Sequence, residues 1–175
     1  MNKLPPLLSD EQPPLAVDPE LLRQMMRHWT TGVAVVTSLV DGVIHGMTVN
    51  SFTSISLDPP VVEVSLANAT RTNAMVKRSG VFGITVLGEG QKDIADTFAG
   101  LTSDDGDRFL GLETFSLVTG SPLIKGGLAS LDCRVKGSLE VGSTTVFFGD
   151  VVATKEQSNH WPLVYFNRLY RGLQK

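Results

Sequence analysis

One short stretch of this sequence holds more hydrogen-bonding side chains than its strand-like pattern requires. Residues 46–54 (GMTVNSFTS) contain five hydroxyl or amide side chains in a run where burial normally favours Val, Ile or Leu. An unpaired buried hydroxyl or amide costs roughly 1–3 kcal/mol, so each of these groups needs a partner. The segment therefore predicts a bound polar ligand that supplies those partners.

A second polar segment, residues 65–72 (SLANATRT), comes just before a predicted helix. Exposed N–H groups and the macrodipole favour an anion at a helix N-terminus, and Arg71 adds a cation there. Hydroxyl groups beside that cation complete the donor set for a phosphate. The alternative is that Thr70 or Thr72 only caps the helix.

The two segments together, with residues 30–33 upstream, match the needs of a flavin. An isoalloxazine ring needs an apolar slot for its dimethylbenzene edge and hydrogen-bonding groups along its pyrimidine edge. Backbone N–H groups and the side chains of Asn50 and Ser51 could serve that edge. We therefore predict that the phosphate of the flavin lies at residues 65–72.

Other kinds of site lack their sequence patterns. There is no G-x-G-x-x-G motif after a strand and no P-loop, which argues against either nucleotide-binding site. Without G-x-S-x-G, H-E-x-x-H or C-x-x-C, hydrolysis and zinc chemistry lack support, and we predict no metal site. His28, His45 and His160 are isolated in sequence, and we interpret them as structural or surface residues. Cys133 alternates with apolar neighbours and is interpreted as a small buried hydrophobe.

Length and composition favour one domain in a reducing compartment. The chain has 175 residues, 42% of them hydrophobic, which is enough for a core of its own. The net charge of −3 provides no basic stripe, so no nucleic acid partner is expected. The single cysteine excludes an intrachain disulfide. No apolar run has membrane-spanning length, and prolines interrupt the N-terminus where a signal peptide would be apolar. We predict a cytoplasmic protein with no membrane partner.

The chain divides into a Pro-rich, aperiodic segment at 1–17 and a domain at 18–175. We interpret the first segment as a flexible N-terminal arm. Asp18-Pro19 is typical of a helix start, and the helix is expected to run to the break at Gly32. Its apolar stripe, expected to pack in the core, consists of Leu22, Met25, Met26 and Trp29.

Beyond Gly32 the pattern changes to short strands separated by turn signals such as Asp41-Gly42. Further helices are predicted only at 72–78 and 90–98, and no βαβ alternation appears. The fold class is therefore mainly β, an antiparallel barrel with a few short helices. The predicted strands are 33–37, 43–46, 54–57, 62–66, 81–87, 128–135, 138–148, 149–153 and 162–165, with the alternative that 138–148 and 149–153 form one strand bent at Gly149.

The series of motifs resembles the flavin reductase-like family, which has the FMN-binding split barrel. The motifs follow in order and with ordinary spacing over about residues 20–172, and the long motif at 46–60 is the specific one. The segments that carry the resemblance are 31–37, 46–60, 79–82, 98–100, 107–109, 131–135, 147–151 and 162–165.

The resemblance implies an NAD(P)H-dependent flavin reductase that passes hydride to FMN or FAD and supplies reduced flavin to a separate monooxygenase. It also implies a homodimer of split β-barrels, with the flavin near the subunit interface. Because stacked rings suffice for hydride transfer, no catalytic side chain is expected. By position, the resemblance assigns cofactor-binding roles to Thr31, Thr48, Val49, Asn50, Ser51, Ser65, Ala67, Asn68, Thr70, Arg71, Thr72, Phe98, Ala99 and Arg108.

One position departs from the family pattern. Many relatives have Gly-Asp-His-Thr before the Phe-x-Gly strand, with the His close to the nicotinamide. This chain has Thr144 there, which indicates a weaker contact with the NADH or NADPH donor. Arg168 and Tyr170 are the other candidates for the nicotinamide side.

Two other functions stay open at this stage. One is an FMN-bound oxidoreductase of the same fold that acts on another small molecule. The other is a non-catalytic flavin-binding dimer. The sequence also leaves open the choice between NADH and NADPH and between FMN and FAD.

Overall fold

The computed structural model describes residues 17–102 and 106–173. It is mainly β with three short α-helices, and a single 3-10 turn at Glu89–Gln91 precedes the third helix in this described part. The predicted N-terminal arm comprises residues 1–17, and residues 1–16 of it lie outside the described residues. The helices are α1 (Pro19–Met26), α2 (Arg71–Ser79) and α3 (Lys92–Phe98). The strands are β1 (Thr31–Gly32), β2 (Ala34–Val40), β3 (Val43–Val49), β4 (Thr53–Leu57), β5 (Pro60–Ala67), β6 (Val81–Val86), β7 (Thr114–Phe115), β8 (Leu123–Ile124), β9 (Ala129–Val141), β10 (Thr144–Glu156), β11 (Val164–Phe166) and β12 (Leu169–Arg171).

Seven strands form one antiparallel sheet in the order β3-β2-β6-β9-β10-β5-β4. Strands from both halves of that order, together with α2, contribute to one buried apolar cluster, so the sheet curls around its core. A second cluster packs α3 against the other face of β2. The predicted antiparallel, mainly β fold with few helices is confirmed. In the described residues no helix is long and apolar enough to cross a membrane.

The β2–β3 hairpin has its turn where the Asp41-Gly42 signal predicts it. Its turn residues Asp41 and Gly42 have φ values of 50° and 79°, the left-handed pair that a type I′ hairpin turn requires. The helix predicted at 72–78 is also confirmed, as α2, which ends at Gly80 with φ of 70°.

The prediction of one strand at 138–148 is wrong. The chain turns at Gly142-Ser143, where Gly142 has φ of 56°, and the two flanking strands β9 and β10 pair with each other. Apolar and polar side chains alternate on both sides of this two-residue turn. A search for period-two alternation therefore does not detect the turn. The alternative of one strand through Gly149 is confirmed only from Thr144 onward, because β10 continues through Gly149 with a register shift beside it, whereas residues 138–141 belong to β9.

The prediction for the first helix is correct at its start and wrong beyond it. Asp18 caps α1 by accepting a hydrogen bond from the Glu20 N–H at 2.7 Å, but the helix ends at Met26. The apolar stripe is not in the core, since Met25 is 53% exposed and Trp29 67% exposed. Periodicity identifies an apolar face, but it does not say what covers that face.

The final part of the chain holds a hairpin that the sequence analysis only half predicted. The strand expected at 162–165 is present as β11, and it pairs with β12 as well as with β1. Asn167 and Arg168 form the turn with φ values of 49° and 61°. Neither residue is a glycine, so no strong turn signal marked the hairpin.

Cys133 behaves as the sequence predicted. It is fully buried in the main cluster. Burial, with a smaller contribution from the Asp132 charge, raises the pKa of its thiol to about 12. The thiol therefore stays protonated and unreactive at neutral pH.

Gly149 lies where β10 crosses the core with no room for a side chain. A Cβ there would lie 2.8 Å from Phe82 Cε1 and 3.1 Å from Cys133 Cβ. We expect Gly149→Ala to destabilise the fold by about 1–3 kcal/mol because the core must be overpacked. Thermal unfolding measures this, with Gly137→Ala as control because its Cβ would meet nothing within 4 Å. Equal melting temperatures for the two variants would contradict the expectation.

Candidate functional site

Four adjoining cavities lie along β3, and we refer to them together as the groove. We name them by one lining residue each: the Thr31, Tyr170, Arg71 and Asp107 cavities, with volumes of about 390, 480, 350 and 570 Å³. Each shares lining residues with the next in that order. The shared residues are Val33, Val49 and Asn50 for the first pair, Thr48 and Ala99 for the second, and His45, Arg71 and Arg108 for the third.

The Arg71 cavity is the cationic part of the groove. Arg71 lines this cavity and is the first residue of α2, at the end of the helix where the macrodipole favours an anion. Arg108 reaches the same cavity from the chain after α3. Its Nη1 donates to the Gly46 carbonyl at 3.0 Å and to the Phe98 carbonyl at 3.2 Å, which holds the guanidinium between β3 and α3. Two guanidiniums and a helix N-terminus favour an anion here.

Gly46 makes this arrangement possible. A Cβ on Gly46 would lie 2.9 Å from Phe98 Cε1 and 3.0 Å from the Val36 carbonyl oxygen. The glycine therefore lets the end of α3 approach β3 closely, with the edge of the Phe98 ring directly against the strand. The first residue of the polar segment serves packing rather than ligand binding.

His45 lies in this cationic part, where the sequence analysis did not place it. It lines both the Arg71 and the Asp107 cavities, and its Nδ1 is 2.9 Å from the Thr72 hydroxyl oxygen. Burial, then the charges of Arg108 and Arg71, lowers the pKa of His45 to about 4. The ring is therefore neutral at pH 7. The position of His45 directly before the 46–54 segment was the sequence signal that could have identified it as a site residue.

The other end of the groove has apolar walls and a polar edge. Val33, Val49 and Leu101 line the Tyr170 cavity together with the ring of Tyr170. Asn50 lies at the junction with the Thr31 cavity. The Thr31 hydroxyl is buried without a hydrogen-bond partner among the described residues. An orphaned buried hydroxyl beside an apolar cavity is suited to a polar ligand edge.

Most of the predicted flavin-contact residues come together in this groove. Ten of the fourteen predicted residues line one or more of the four cavities. Thr70 lines the Arg71 cavity and also caps α2 by accepting from the Asn73 N–H at 3.3 Å, so capping is one of its roles. The groove residues are Thr31, Thr48, Val49, Asn50, Thr70, Arg71, Thr72, Phe98, Ala99 and Arg108.

Four predicted residues, Ser51, Ser65, Ala67 and Asn68, line none of these cavities within the described part of the chain. The Ser51 hydroxyl donates to the Ser65 carbonyl at 2.9 Å and accepts from the Ser65 N–H at 3.2 Å. The Asn68 side chain accepts from the Thr145 hydroxyl at 2.6 Å. The side chains of Ser51 and Asn68 are therefore paired with residues of β5 and β10, partners that sequence spacing does not reveal.

Two of the three residues predicted for the nicotinamide side line the groove, and the third does not. Arg168 and Tyr170, on the β11–β12 hairpin, line the Tyr170 cavity. Thr144 starts β10 instead, where it pairs with Ala67 and Val141. Among the described residues it lines none of the four cavities.

The geometry suits an elongated ligand with a flat, largely apolar body and an anionic end. The apolar walls and the orphaned hydroxyl meet the body, and the two guanidiniums with the α2 N-terminus meet the anion. A flavin has this shape and this order of groups, so the residues present fit it.

Comparison with known proteins agrees. The family model described as flavin reductase like domain matches residues 26–174. The reductase subunit HsaB of a flavin-dependent monooxygenase from Rhodococcus jostii (strain RHA1) is 34% identical over 159 residues, covering 91% of this chain and 80% of that protein. The NADH-dependent flavin reductase StyB from Pseudomonas fluorescens is 37% identical over 159 residues, covering 89% of this chain and 91% of that protein.

Solved structures give the same result. The flavin reductase PheA2 superposes with a TM-score of 0.84 at 32% identity, covering 91% of this chain and 100% of that one. The styrene monooxygenase flavin reductase from Pseudomonas putida S12 has a TM-score of 0.79 at 35% identity, covering 88% and 97%. The family model spans most of the chain and the sequence relatives exceed 30% identity over most of their length. This chain therefore belongs to the flavin reductase-like domain family.

Proposed function

We propose that this chain is an NAD(P)H:flavin oxidoreductase that reduces FMN or FAD and supplies the reduced flavin to a separate monooxygenase. One observation carries the proposal: a single groove joins a ring-sized apolar cavity to a cationic end. The names of the relatives support it, since StyB is an NADH-dependent flavin reductase and HsaB is the reductase subunit of a monooxygenase.

In this proposal the ring lies at Val33, Val49 and Asn50, and Thr31 offers its hydroxyl to the polar edge. The phosphate lies at the start of α2, between Arg71 and Arg108. The flavin and the nicotinamide supply the redox chemistry themselves. The chain therefore has to bind both, hold their rings in contact and limit access of water.

Arg168 and Tyr170 are the proposed contacts on the nicotinamide side. Lys92 lies with its Nζ 5.8 Å from the centre of the Tyr170 ring, at the rim of the same cavity. Burial, then the charge of Asp96 and that of Tyr165, raises the pKa of the Tyr170 phenol. At neutral pH the phenol is therefore an uncharged donor. Arg168 offers the positive charge that a dinucleotide phosphate requires.

The proposed assembly is a homodimer of closed split barrels in the cytoplasm. Support comes from the apolar stripe of α1, which the single chain leaves exposed. Trp29 belongs to that stripe and also lines the Thr31 cavity. A second subunit that covered the stripe would bring the groove to the interface.

Anaerobic stopped-flow absorbance tests the function. With a many-fold excess of FMN or FAD and with NADH or NADPH, we expect the whole flavin pool to bleach catalytically. Bleaching of no more than the protein-bound flavin would instead favour an FMN-bound oxidoreductase that acts on another small molecule. Flavin binding without any bleaching would leave a non-catalytic flavin-binding dimer.

A further inference from the structure

His45 occupies a central position in the cationic part of the groove. It is one of three residues shared by the Arg71 and Asp107 cavities, and the other two are Arg71 and Arg108. A phosphate bound beside the two guanidiniums would therefore lie in a cavity that the imidazole also lines. The chemistry described so far assigns this ring no role.

The ring is held in place by a buried partner. The Thr72 hydroxyl oxygen lies 2.9 Å from Nδ1, and Thr72 itself is fully buried at the start of α2. This hydrogen bond occupies one ring nitrogen, which leaves Nε2 to meet a ligand. A hydroxyl can accept from a protonated ring as readily as it donates to a neutral one, so the bond persists in both charge states.

Burial, and then the charges around the ring, explain its neutral form. Arg71 faces it from α2, and Arg108 faces it from the chain after α3. Within the described part of the chain, Asp107 is the acidic residue that lines the Asp107 cavity, and its carboxylate accepts from the Phe109 N–H at 2.9 Å. Burial and the two guanidiniums together lower the pKa of His45. A bound phosphate offsets the positive charges and favours the protonated ring.

We propose that His45 is a ligand of the flavin phosphate and takes up one proton from solvent when that phosphate binds. The resulting imidazolium donates through one nitrogen to Thr72 and through the other to a phosphate oxygen. This inference rests on the proposed function, because the phosphate is that of the flavin.

Proton uptake fixes the sign of the pH dependence. Bound phosphate raises the pKa of His45 from about 4 in the free protein. At a pH between the pKa of His45 in the free protein and its pKa in the bound protein, binding takes up a proton. The affinity is therefore highest at low pH and falls as the pH rises through the pKa of the bound protein. If the bound pKa returns to its ordinary value of about 6.5, the Kd rises about tenfold between about pH 5.5 and about pH 7.5.

FAD is the appropriate probe for this test. Each of its two phosphates has one ester bond and one anhydride bond, so neither titrates in this range, whereas a phosphate monoester such as FMN has a second pKa of about 6. Riboflavin, which has the same ring and no phosphate, is the comparison ligand. Calorimetric titration in two buffers of different ionisation enthalpy measures the protons taken up.

We expect FAD binding to take up roughly 0.9 proton at about pH 5.5 and riboflavin binding to take up close to none. The variant His45→Gln keeps a hydrogen-bonding group without a titrating one, and its FAD affinity is expected to be independent of pH. His160→Gln, at an exposed histidine outside the groove, should behave as the parent protein does.

Equal proton uptake with FAD and riboflavin, or pH-dependent FAD binding retained in His45→Gln, would overturn the inference. If His45→Gln fails to fold, the comparison of FAD with riboflavin on the parent protein still decides. Flavin binding and catalytic bleaching without proton uptake would remove this inference alone. Absence of flavin binding at every pH would remove the proposed function with it.

Discussion

Arg108→Gln is expected to weaken FMN and FAD binding by roughly 10- to 100-fold, because a hydrogen bond to a charged group contributes about 1.5–3 kcal/mol. Arg108 is part of the cationic pair at the phosphate end, and its Nη1 is fixed by the carbonyls of Gly46 and Phe98. The glutamine removes the charge and the planar fork that matches a phosphate. Fluorescence titration with FMN, FAD and riboflavin measures the effect.

The difference between ligands separates phosphate binding from a general disturbance of the groove. Riboflavin affinity should change much less than FAD affinity, because riboflavin has no phosphate for Arg108 to meet. Arg108→Lys keeps the charge without the fork and is expected to lie between parent and glutamine variant. Arg78→Gln is the matched control, since Arg78 is an exposed α2 residue paired with Asp41. An equal loss for riboflavin and FAD would show that Arg108 acts only through structure.

Asp132→Ala is expected to give a large loss of stability. Asp132 is fully buried on β9, and its Oδ2 accepts from the Val118 and Thr119 N–H groups at 2.7 Å each. Its Oδ1 accepts from the Thr119 hydroxyl. Without the carboxylate the loop between β7 and β8 loses its anchor. A lost partner costs about 1–3 kcal/mol per buried group, so we expect roughly 3 kcal/mol in total.

Thermal or denaturant unfolding measures this effect. For a domain of this size roughly 3 kcal/mol lowers the melting temperature by about 6–12 °C. Asp150→Ala is the matched control: Asp150 lies on the neighbouring strand β10 in a surface pair with Lys136, and such pairs contribute about 0–1 kcal/mol. Asp132→Asn keeps one oxygen and should lose less than the alanine variant. Similar melting temperatures for Asp132→Ala and Asp150→Ala would contradict this explanation.

Local signals predicted local structure well. Asp18-Pro19 marked the start of α1, Asp41-Gly42 marked a hairpin, and Gly80 ended α2. Each of these residues acts through its own backbone or through a neighbour within a few positions. Such preferences are present in the sequence before any tertiary contact forms.

The same limit explains what local signals did not predict. The hydroxyl of Ser51 and the amide of Asn68 looked available for a ligand, yet their partners are Ser65 and Thr145. Asn68 and Thr145 are 77 positions apart in sequence, so only the folded sheet brings them together. The prediction that the α1 stripe packs in the core was wrong for a related reason, because an apolar face does not identify the surface that covers it.

From the sequence by itself we predicted a polar ligand site around residues 46–54 and an anion at the start of α2. Both follow from residue types and from the helix terminus that they precede. Only the tertiary structure decided which polar groups face the groove, and only it brought His45 into the same cavities as Arg71 and Arg108. The physical reason is that side-chain availability depends on long-range pairing, and burial and nearby charge set the protonation of a group such as His45.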